Sequence, residues 1–283
     1  MFETLTESTL STFTASDGDN LAVQDWPLPE GVAVRGVVLV VHGLGEHAGR
    51  YEHVARQLNS WGFAVRGYDH YGHGDSDGVR GALPVMTRLL DDLTDMIEST
   101  RKRAEPGTPF ILLGHSMGGL VAACLVALRK VPVDALVLSS PVFDPGLNPV
   151  QKLLLATLPR IAPNLTVGNG LKVDFISHDP QVVAAYKSDR RVHDRVSARL
   201  ARFIAGAGPI VLERAHEWKV PTLLMYAGQD KLVNPRGSEA FAAAAPPSVV
   251  TARCFEELYH EIFNEVESQR VFDTLRKWLD QRL

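Results

Sequence analysis

One serine set between glycines, Gly114-His115-Ser116-Met117-Gly118, constrains this chain more than any other stretch. It follows the apolar run Phe110-Ile111-Leu112-Leu113 and opens into Leu120-Val121-Ala122-Ala123-Cys124-Leu125-Val126-Ala127-Leu128. A short apolar run bounded by glycine suits a buried strand, and the longer run suits a buried helix. A turn this sharp brings backbone segments together, so Gly114, Gly118 and Gly119 leave room where Cβ atoms would collide. The bend lifts the Ser116 hydroxyl out of the sheet. The N-terminus of the next helix points at the same spot and favours developing negative charge. In this strand–turn–helix setting G-x-S-x-G is a nucleophile elbow; in a loose loop the same pattern arises by chance.

An elbow of this kind predicts an acid and then a histidine further along the chain. Val220-Pro221-Thr222-Leu223-Leu224-Met225-Tyr226-Ala227 reads as a buried strand that runs into Gly228-Gln229-Asp230. A short Ala-rich helix, about Pro235 to Ala245, and a strand, Val249 to Phe255, come next. Glu256-Glu257-Leu258-Tyr259-His260 then forms a loop before the last helix. Asp230 and His260 thus both follow strand C-termini, the edge where open α/β sheets gather ligands. In the expected roles His260 takes the Ser116 proton, and Asp230 fixes the imidazole tautomer. A lone Asp after a strand is also a common turn former or cap. Asp144, after the apolar strand Ala135 to Ser139, is the rival acid, although G-x-D with a following helix fits the chain order better.

A second backbone donor is needed for an oxyanion, from the loop after an early strand. Val37-Val38-Leu39-Val40-Val41 leads directly into His42-Gly43-Leu44-Gly45-Glu46-His47. The backbone N–H groups of Leu44 and Met117 are the expected oxyanion donors. The same loop admits a competing reading. Gly43-Leu44-Gly45-Glu46-His47-Ala48 matches G-x-G-x-x-A after a strand, with Asp69 as a ribose acid. Against it, this is not the first strand, and Glu46 would set a carboxylate near a pyrophosphate. A metal site is disfavoured too. His42, Glu46, His47, His53, His70 and His73 cluster in sequence, but no H-E-x-x-H is present and glycines break any helix that would align them.

At this point the chain resembles the monoacylglycerol lipase family of serine α/β-hydrolases, some of them described as lysophospholipases. The matching words are His42-Gly43-Leu44-Gly45-Glu46-His47-Ala48-Gly49-Arg50-Tyr51, Asp69-His70-Tyr71-Gly72-His73-Gly74-Asp75-Ser76, Gly114-His115-Ser116-Met117-Gly118-Gly119, Gly228-Gln229-Asp230 and Tyr259-His260. They span nearly the whole chain in the family's order. The resemblance implies that Glu46 and Arg50 lie near the glycerol end of the substrate pocket. It also implies that Tyr186, in Ala185-Tyr186-Lys187-Ser188-Asp189, approaches the head group. His115, beside the nucleophile, joins them as a substrate-binding candidate. Glu46, Arg50 and Tyr186 each have a plainer role open to them: turn carboxylate, surface salt bridge and packed cap tyrosine. Leu44 departs from the small residue that the family often carries there; its backbone can still donate, and the expectation is that its larger side chain narrows or reshapes the pocket.

Composition agrees with a globular enzyme. A chain of 283 residues, 45% hydrophobic and 22% charged, buries a substantial core in one α/β domain with an inserted subdomain. A net charge of −4 gives no basic field for nucleic acid. Cys124 and Cys254 lie in apolar segments and read as buried small hydrophobes. Met1-Phe2-Glu3-Thr4-Leu5-Thr6-Glu7 has neither a basic start nor a long apolar core, so no signal peptide is expected. No apolar run is long enough to span a bilayer. The expected location is cytoplasmic, with peripheral membrane contact open.

The spacing predicts an α/β-hydrolase fold: a mostly parallel eight-stranded sheet, helices on both faces, and an inserted helical cap. Two early strands, Ser11 to Ala15 and Leu21 to Asp25, form an antiparallel edge. Strand Val37 to Val41, helix Arg50 to Trp61, strand Ala64 to Tyr68 and helix Val85 to Arg103 then alternate up to the elbow. The alternation breaks between Ser140 and Trp218. Helical patterning there covers Val150 to Leu158, Gln181 to Lys187 and Arg191 to Ala205, with no strong strand. The expected division is a core of 1–140 and 219–283 with a cap at 141–218. Within the cap, Val150-Gln151-Lys152-Leu153-Leu154-Leu155-Ala156-Thr157-Leu158-Pro159-Arg160-Ile161-Ala162-Pro163 is apolar on most faces. Its leucines either pack on the core or line an acyl tunnel and touch a membrane or micelle transiently.

The expected activity is hydrolysis of monoacylglycerols or similar single-chain esters through an acyl-enzyme, with no metal or organic cofactor. The same three residues serve a short-chain esterase, thioesterase, amidase or aminopeptidase equally well. A non-enzymatic relative ranks last, since a binding protein has no need of Ser116, Asp230 and His260 together. Ser at the elbow disfavours epoxide hydrolases and dehalogenases, which carry Asp. Oligomeric state, head group and acyl length are left open.

Overall fold

The computed structural model describes residues 6–283, with only the backbone of Lys152. Met1–Leu5, part of the segment scanned for a signal peptide, lies outside the described residues. β1 (Thr9–Thr14) and β2 (Asn20–Trp26) open as an antiparallel pair. Then come β3 (Gly36–Val41), α1 (Glu52–Ser60), β4 (Phe63–Tyr68), α2 (Arg88–Arg101), β5 (Phe110–His115), α3 (Met117–Ala127) and β6 (Ala135–Ser139). The stretch that follows holds α4 (Pro149–Ile161), β7 (Thr166–Gly168), α5 (Pro180–Ser188), β8 (Arg195–Ser197) and α6 (Ala198–Arg214). β9 (Thr222–Ala227), α7 (Arg236–Ala244), β10 (Val250–Phe255) and α8 (Gln269–Arg282) complete the chain.

Eight strands form one sheet in the order β1-β2-β4-β3-β5-β6-β9-β10. β2 runs antiparallel to β4, and every pair from β4 to β10 is parallel. Alternate side chains of each central strand enter opposite cores, as a two-residue period requires. Leu39 and Val41 face a core with α2, α3 and α7, whereas Val38 and Val40 face one with α1 and α8. On α8, Val271, Phe272, Leu275, Trp278 and Leu279 recur at helical spacing and are all buried. Each such side chain contributes roughly 1.5–3 kcal/mol on burial. α3 is buried on every face, which accounts for its unbroken apolar sequence.

The strand order reverses at β3. The chain steps from β3 to β4 on one side and then returns to place β5 on the other. The loops leaving β3 and β5 therefore diverge across one crevice at the strand C-termini, the usual site of ligands in open α/β sheets. His42–Leu44 and Ser116 leave the sheet at this point.

Between β6 and β9 the structure differs from the sequence reading in two ways. β7 and β8 form a two-stranded antiparallel ribbon. Strands of three residues are too short for a period of two to register. The third helix runs from Ala198 to Arg214, not from Arg191 to Ala205. Ser197 sets its start by accepting a hydrogen bond from Leu200 N, which leaves residues 191–197 to a loop and β8. Its helical course continues through Pro209.

Candidate active site

Ser116 sits at the turn between β5 and α3 with φ 52° and ψ −118°. This backbone is strained for a residue with a Cβ, at a cost of about 1–3 kcal/mol. The surroundings hold it there. Ser116 N donates to Ser139 O at 2.9 Å, and Ser116 O accepts from Leu120 N at 3.0 Å and Val142 N at 3.2 Å. Gly118 lets the turn close on β3, since a Cβ there would overlap the Val41 carbonyl oxygen. On the facing loop, a Cβ on Gly43 would stand 3.3 Å from Ser116 Cβ and 2.9 Å from Glu46 Oε1.

Asp230 and His260 meet although 30 residues apart in the chain. His260 Nδ1 donates to Asp230 Oδ2 at 2.6 Å, with side chains 5% and 2% exposed. The other carboxylate oxygen accepts from Leu232 N at 2.8 Å and Val233 N at 3.0 Å. A carboxylate only accepts, so Nδ1 carries hydrogen and Nε2 remains the basic atom of the ring. Burial opposes a charge on His260, but the Asp230 carboxylate prevails and raises its pKa above the ordinary histidine value. Burial likewise disfavours ionised Asp230, yet His260 and the two backbone donors hold its pKa low. The His115 ring lies 4.7 Å from that of His260, and its Nδ1 is 3.0 Å from Ser139 Oγ. Burial first, then proximity to His260, pushes its pKa down to about 4.

The rival acid is committed elsewhere. Asp144 Oδ2 accepts from Asn234 Nδ2 at 2.6 Å, bracing the loop before α7. Across the crevice, neither Leu44 N nor Met117 N donates to a protein acceptor among the described residues. Gly43 N, by contrast, is taken by Glu46 Oε1 at 2.5 Å.

Glu46, Arg50 and Tyr186 do come together, mostly with one another. Glu46 Oε1 also accepts from Tyr51 OH at 2.7 Å, and Oε2 from Arg50 Nη1 at 2.5 Å. Arg50 grips Glu261 with both terminal nitrogens at 2.7 Å. The Tyr186 ring lies against the guanidinium, 4.6 Å from its carbon to the centroid. Glu46 and Glu261 are 3% and 6% exposed. Burial works against ionised Glu46, but Arg50 outweighs it and lowers the pKa. Glu261, next to His260, escapes sequence reasoning. Its partner lies 211 residues away, and no spacing rule joins them.

The dinucleotide reading fails on geometry. Asp69 turns inward to accept from Ala48 N and Asp75 N, both at 2.8 Å. Glu46 folds back on its own loop. Among the described residues no group of three or more His, Cys, Asp or Glu side chains is arranged to hold a metal ion.

Comparison with known proteins decides the family. The family profile described as "Serine aminopeptidase, S33" matches residues 32–267. A monoacylglycerol lipase of Mycolicibacterium smegmatis is 36% identical over 252 residues, covering 88% of this chain and 89% of that protein. The chain belongs to the monoacylglycerol lipase-like family of serine α/β-hydrolases. Human monoglyceride lipase is 31% identical over 274 residues, covering 94% of this chain and 89% of its own. The crystal structure of a Paleococcus ferrophilus monoacylglycerol lipase superposes with a TM-score of 0.82 at 30% identity, covering 98% of this chain and 100% of that one. This family member is thus a serine hydrolase of carboxylic esters.

Proposed function

We propose that the protein hydrolyses monoacylglycerols, or similar single-chain lipid esters, by two-step acyl transfer. Ser116 attacks the ester carbonyl while His260 takes its proton through Nε2. Asp230 keeps the ring in the required tautomer and stabilises the imidazolium. The N–H groups of Leu44 and Met117 receive the oxyanion. His260 protonates the departing glycerol, and water then repeats the sequence on the acyl-enzyme. The observation that carries the acyl-transfer mechanism is the 2.6 Å bond between buried Asp230 and His260, while monoacylglycerol as the substrate is supported by the 36% identity to the Mycolicibacterium smegmatis monoacylglycerol lipase. The Asp230–His260 bond lies on the sheet edge from which the strained Ser116 emerges.

Residues 141–218 are proposed as the cap that selects the acyl chain. A cavity of about 700 Å³ lies between α4, α6, α7 and the loop after β6, and its walls include none of Ser116, Asp230 and His260. Phe143, Leu147, Leu155 and Leu212 give it an apolar wall, and Arg160, Arg202, Arg236 and Asp144 a charged one. The outer face of α4 leaves Val150, Leu153, Leu154 and Ile161 between 51% and 83% exposed. An apolar stripe of that kind partitions into a lipid interface, so the cap is proposed to touch membrane or micelle transiently. No described helix is long and apolar enough to cross a membrane. The proposed location is cytoplasmic, at lipid surfaces.

The test is the initial rate on monoacylglycerols of increasing chain length beside matched p-nitrophenyl esters, with Ser116→Ala as blank. Strong, chain-length-dependent turnover of monoacylglycerols supports the reading. Turnover of short activated esters alone moves the substrate to a smaller ester, a thioester or an amide, the last in keeping with the aminopeptidase description of the matching profile.

A further inference from the structure

Arg50 lies at the crossing of three segments that the proposed chemistry needs. Through Glu46 it reaches the loop after β3, because Glu46 accepts from both Arg50 Nη1 and Gly43 N at 2.5 Å. Through Glu261 it reaches the loop that carries His260, by a two-pronged contact at 2.7 Å. Beneath the Tyr186 ring it meets the cap segment, 4.6 Å from guanidinium carbon to centroid. The arrangement is closed. Asn264 Nδ2 donates to Glu261 Oε2 at 2.7 Å, and Tyr51 OH to Glu46 Oε1 at 2.7 Å.

A guanidinium is suited to this place, since its planar fork can bind two carboxylates at once in fixed directions. Two buried carboxylates facing one cation also resist rearrangement, because either one left alone would be an uncompensated buried charge.

We propose that Arg50 is a positioning residue, locking the oxyanion loop and the His260 loop into one rigid unit through Glu46 and Glu261. The inference rests on the functional roles proposed above for Leu44, Ser116 and His260. Glu46 sets the turn at Gly43, and so aims the next N–H, that of Leu44, at the reacting carbonyl. Glu261 holds the backbone next to His260, and so sets the distance from Nε2 to Ser116. The cap joins the same unit. Ile176 O accepts from Glu261 N at 2.8 Å, and the His178 ring stacks on Tyr259 with centroids 3.6 Å apart. Arg50 spends both terminal nitrogens on protein and acts on the substrate through its neighbours.

The experiment compares Arg50→Lys and Glu261→Gln with the parent protein on a monoacylglycerol and on a p-nitrophenyl ester that has no glycerol. Rates are normalised to active sites counted with a fluorophosphonate. Lysine keeps the charge and loses the fork; glutamine keeps the shape and loses the charge. A shift of about 1 Å in a reacting group costs on the order of 10²-fold. The expected result is therefore a drop in kcat of about 10–100-fold on both esters, with KM within about twofold. A loss confined to KM for the monoacylglycerol would overturn the proposal and make Arg50 a head-group contact. An unchanged kcat per titrated site, with only a lower melting temperature, would overturn it in favour of a purely structural ion pair. If Arg50→Lys does not fold, Glu261→Gln decides between the same outcomes. Turnover surviving in Ser116→Ala would instead indict the acyl-enzyme reading itself, so the two failures are distinguishable.

Discussion

The carboxylate of Asp230 is divided between two tasks: one oxygen accepts from His260 Nδ1 at 2.6 Å, and the other accepts from the N–H groups of Leu232 and Val233. The loop after β9 thus holds Asp230 while Asp230 holds the His260 ring. An amide nitrogen in place of Oδ2 would donate to Nδ1 and shift the ring hydrogen to Nε2. Asp230→Asn is expected to lower kcat by about 10⁴-fold with little change in KM, as the base then presents the wrong nitrogen. Steady-state kinetics on a soluble ester checks this, and a loss under tenfold would remove Asp230 from the mechanism.

The raised pKa of His260 fixes the sign of a pH effect. Only the neutral ring can accept the Ser116 proton, so kcat/KM rises with pH as the free enzyme loses the His260 proton. Because Asp230 raises that pKa, the midpoint of the acid limb is expected above the ordinary histidine value of 6.5. His115, pushed down to about 4, is neutral across this range and adds no second limb there. A pH–rate profile with its midpoint at or below 6.5 would contradict the assignment.

Ser116→Ala and His260→Ala are each expected to abolish nearly all turnover, by roughly 10⁶-fold, and the double variant to be hardly worse. In the proposed mechanism the two side chains act in one step, so removing either removes the step. Rates for both single variants and the double on one substrate make the comparison; near-additive losses would show that they act separately.

Leu153→Ser together with Leu154→Ser on the exposed face of α4 is expected to slow hydrolysis of long-chain monoacylglycerols in vesicles more than that of a short soluble ester. Both side chains are more than half exposed, so folding stability changes by no more than about 0.5 kcal/mol. Equal losses on both substrates would exclude a lipid-facing role for this helix.

Gly118→Ala tests the packing under the elbow. The added methyl meets the Val41 carbonyl oxygen, a backbone atom of a central strand that cannot step aside. Destabilisation of about 1–3 kcal/mol or more is expected from such overpacking. Urea unfolding with an unchanged midpoint would refute it.

Much of the fold was legible because its signals are local. Strand, turn and helix around Ser116 show as an apolar run, glycines and a second apolar run. The parallel sheet shows as regular alternation from Val37 onward. The cap was harder to read. Three-residue strands carry no usable period, and helical patterning ran on across residues 191–197, where the Ser197 cap in fact sets the helix start. Ser116, Asp230 and His260 could be proposed together because each lies in the loop after a strand, in the chain order expected of nucleophile, acid and base. Glu46 and Arg50 could be named by resemblance, but not their partner Glu261, which sits in a loop 211 residues from Arg50.

The sequence by itself determined the strands and helices outside the cap, the sheet type and the order of the chemical groups, since all of these are written in the spacing of neighbouring residues. Only the tertiary structure decided which distant groups touch. The reversal of strand order at β3 brings the Gly43 loop against Ser116. The close approach of the loops after β3 and β10 delivers Arg50, already paired with Glu46 four residues before it, to Glu261. Such pairings depend on how the sheet stacks its strands, and buried charge then holds them because separation would strand a carboxylate away from water.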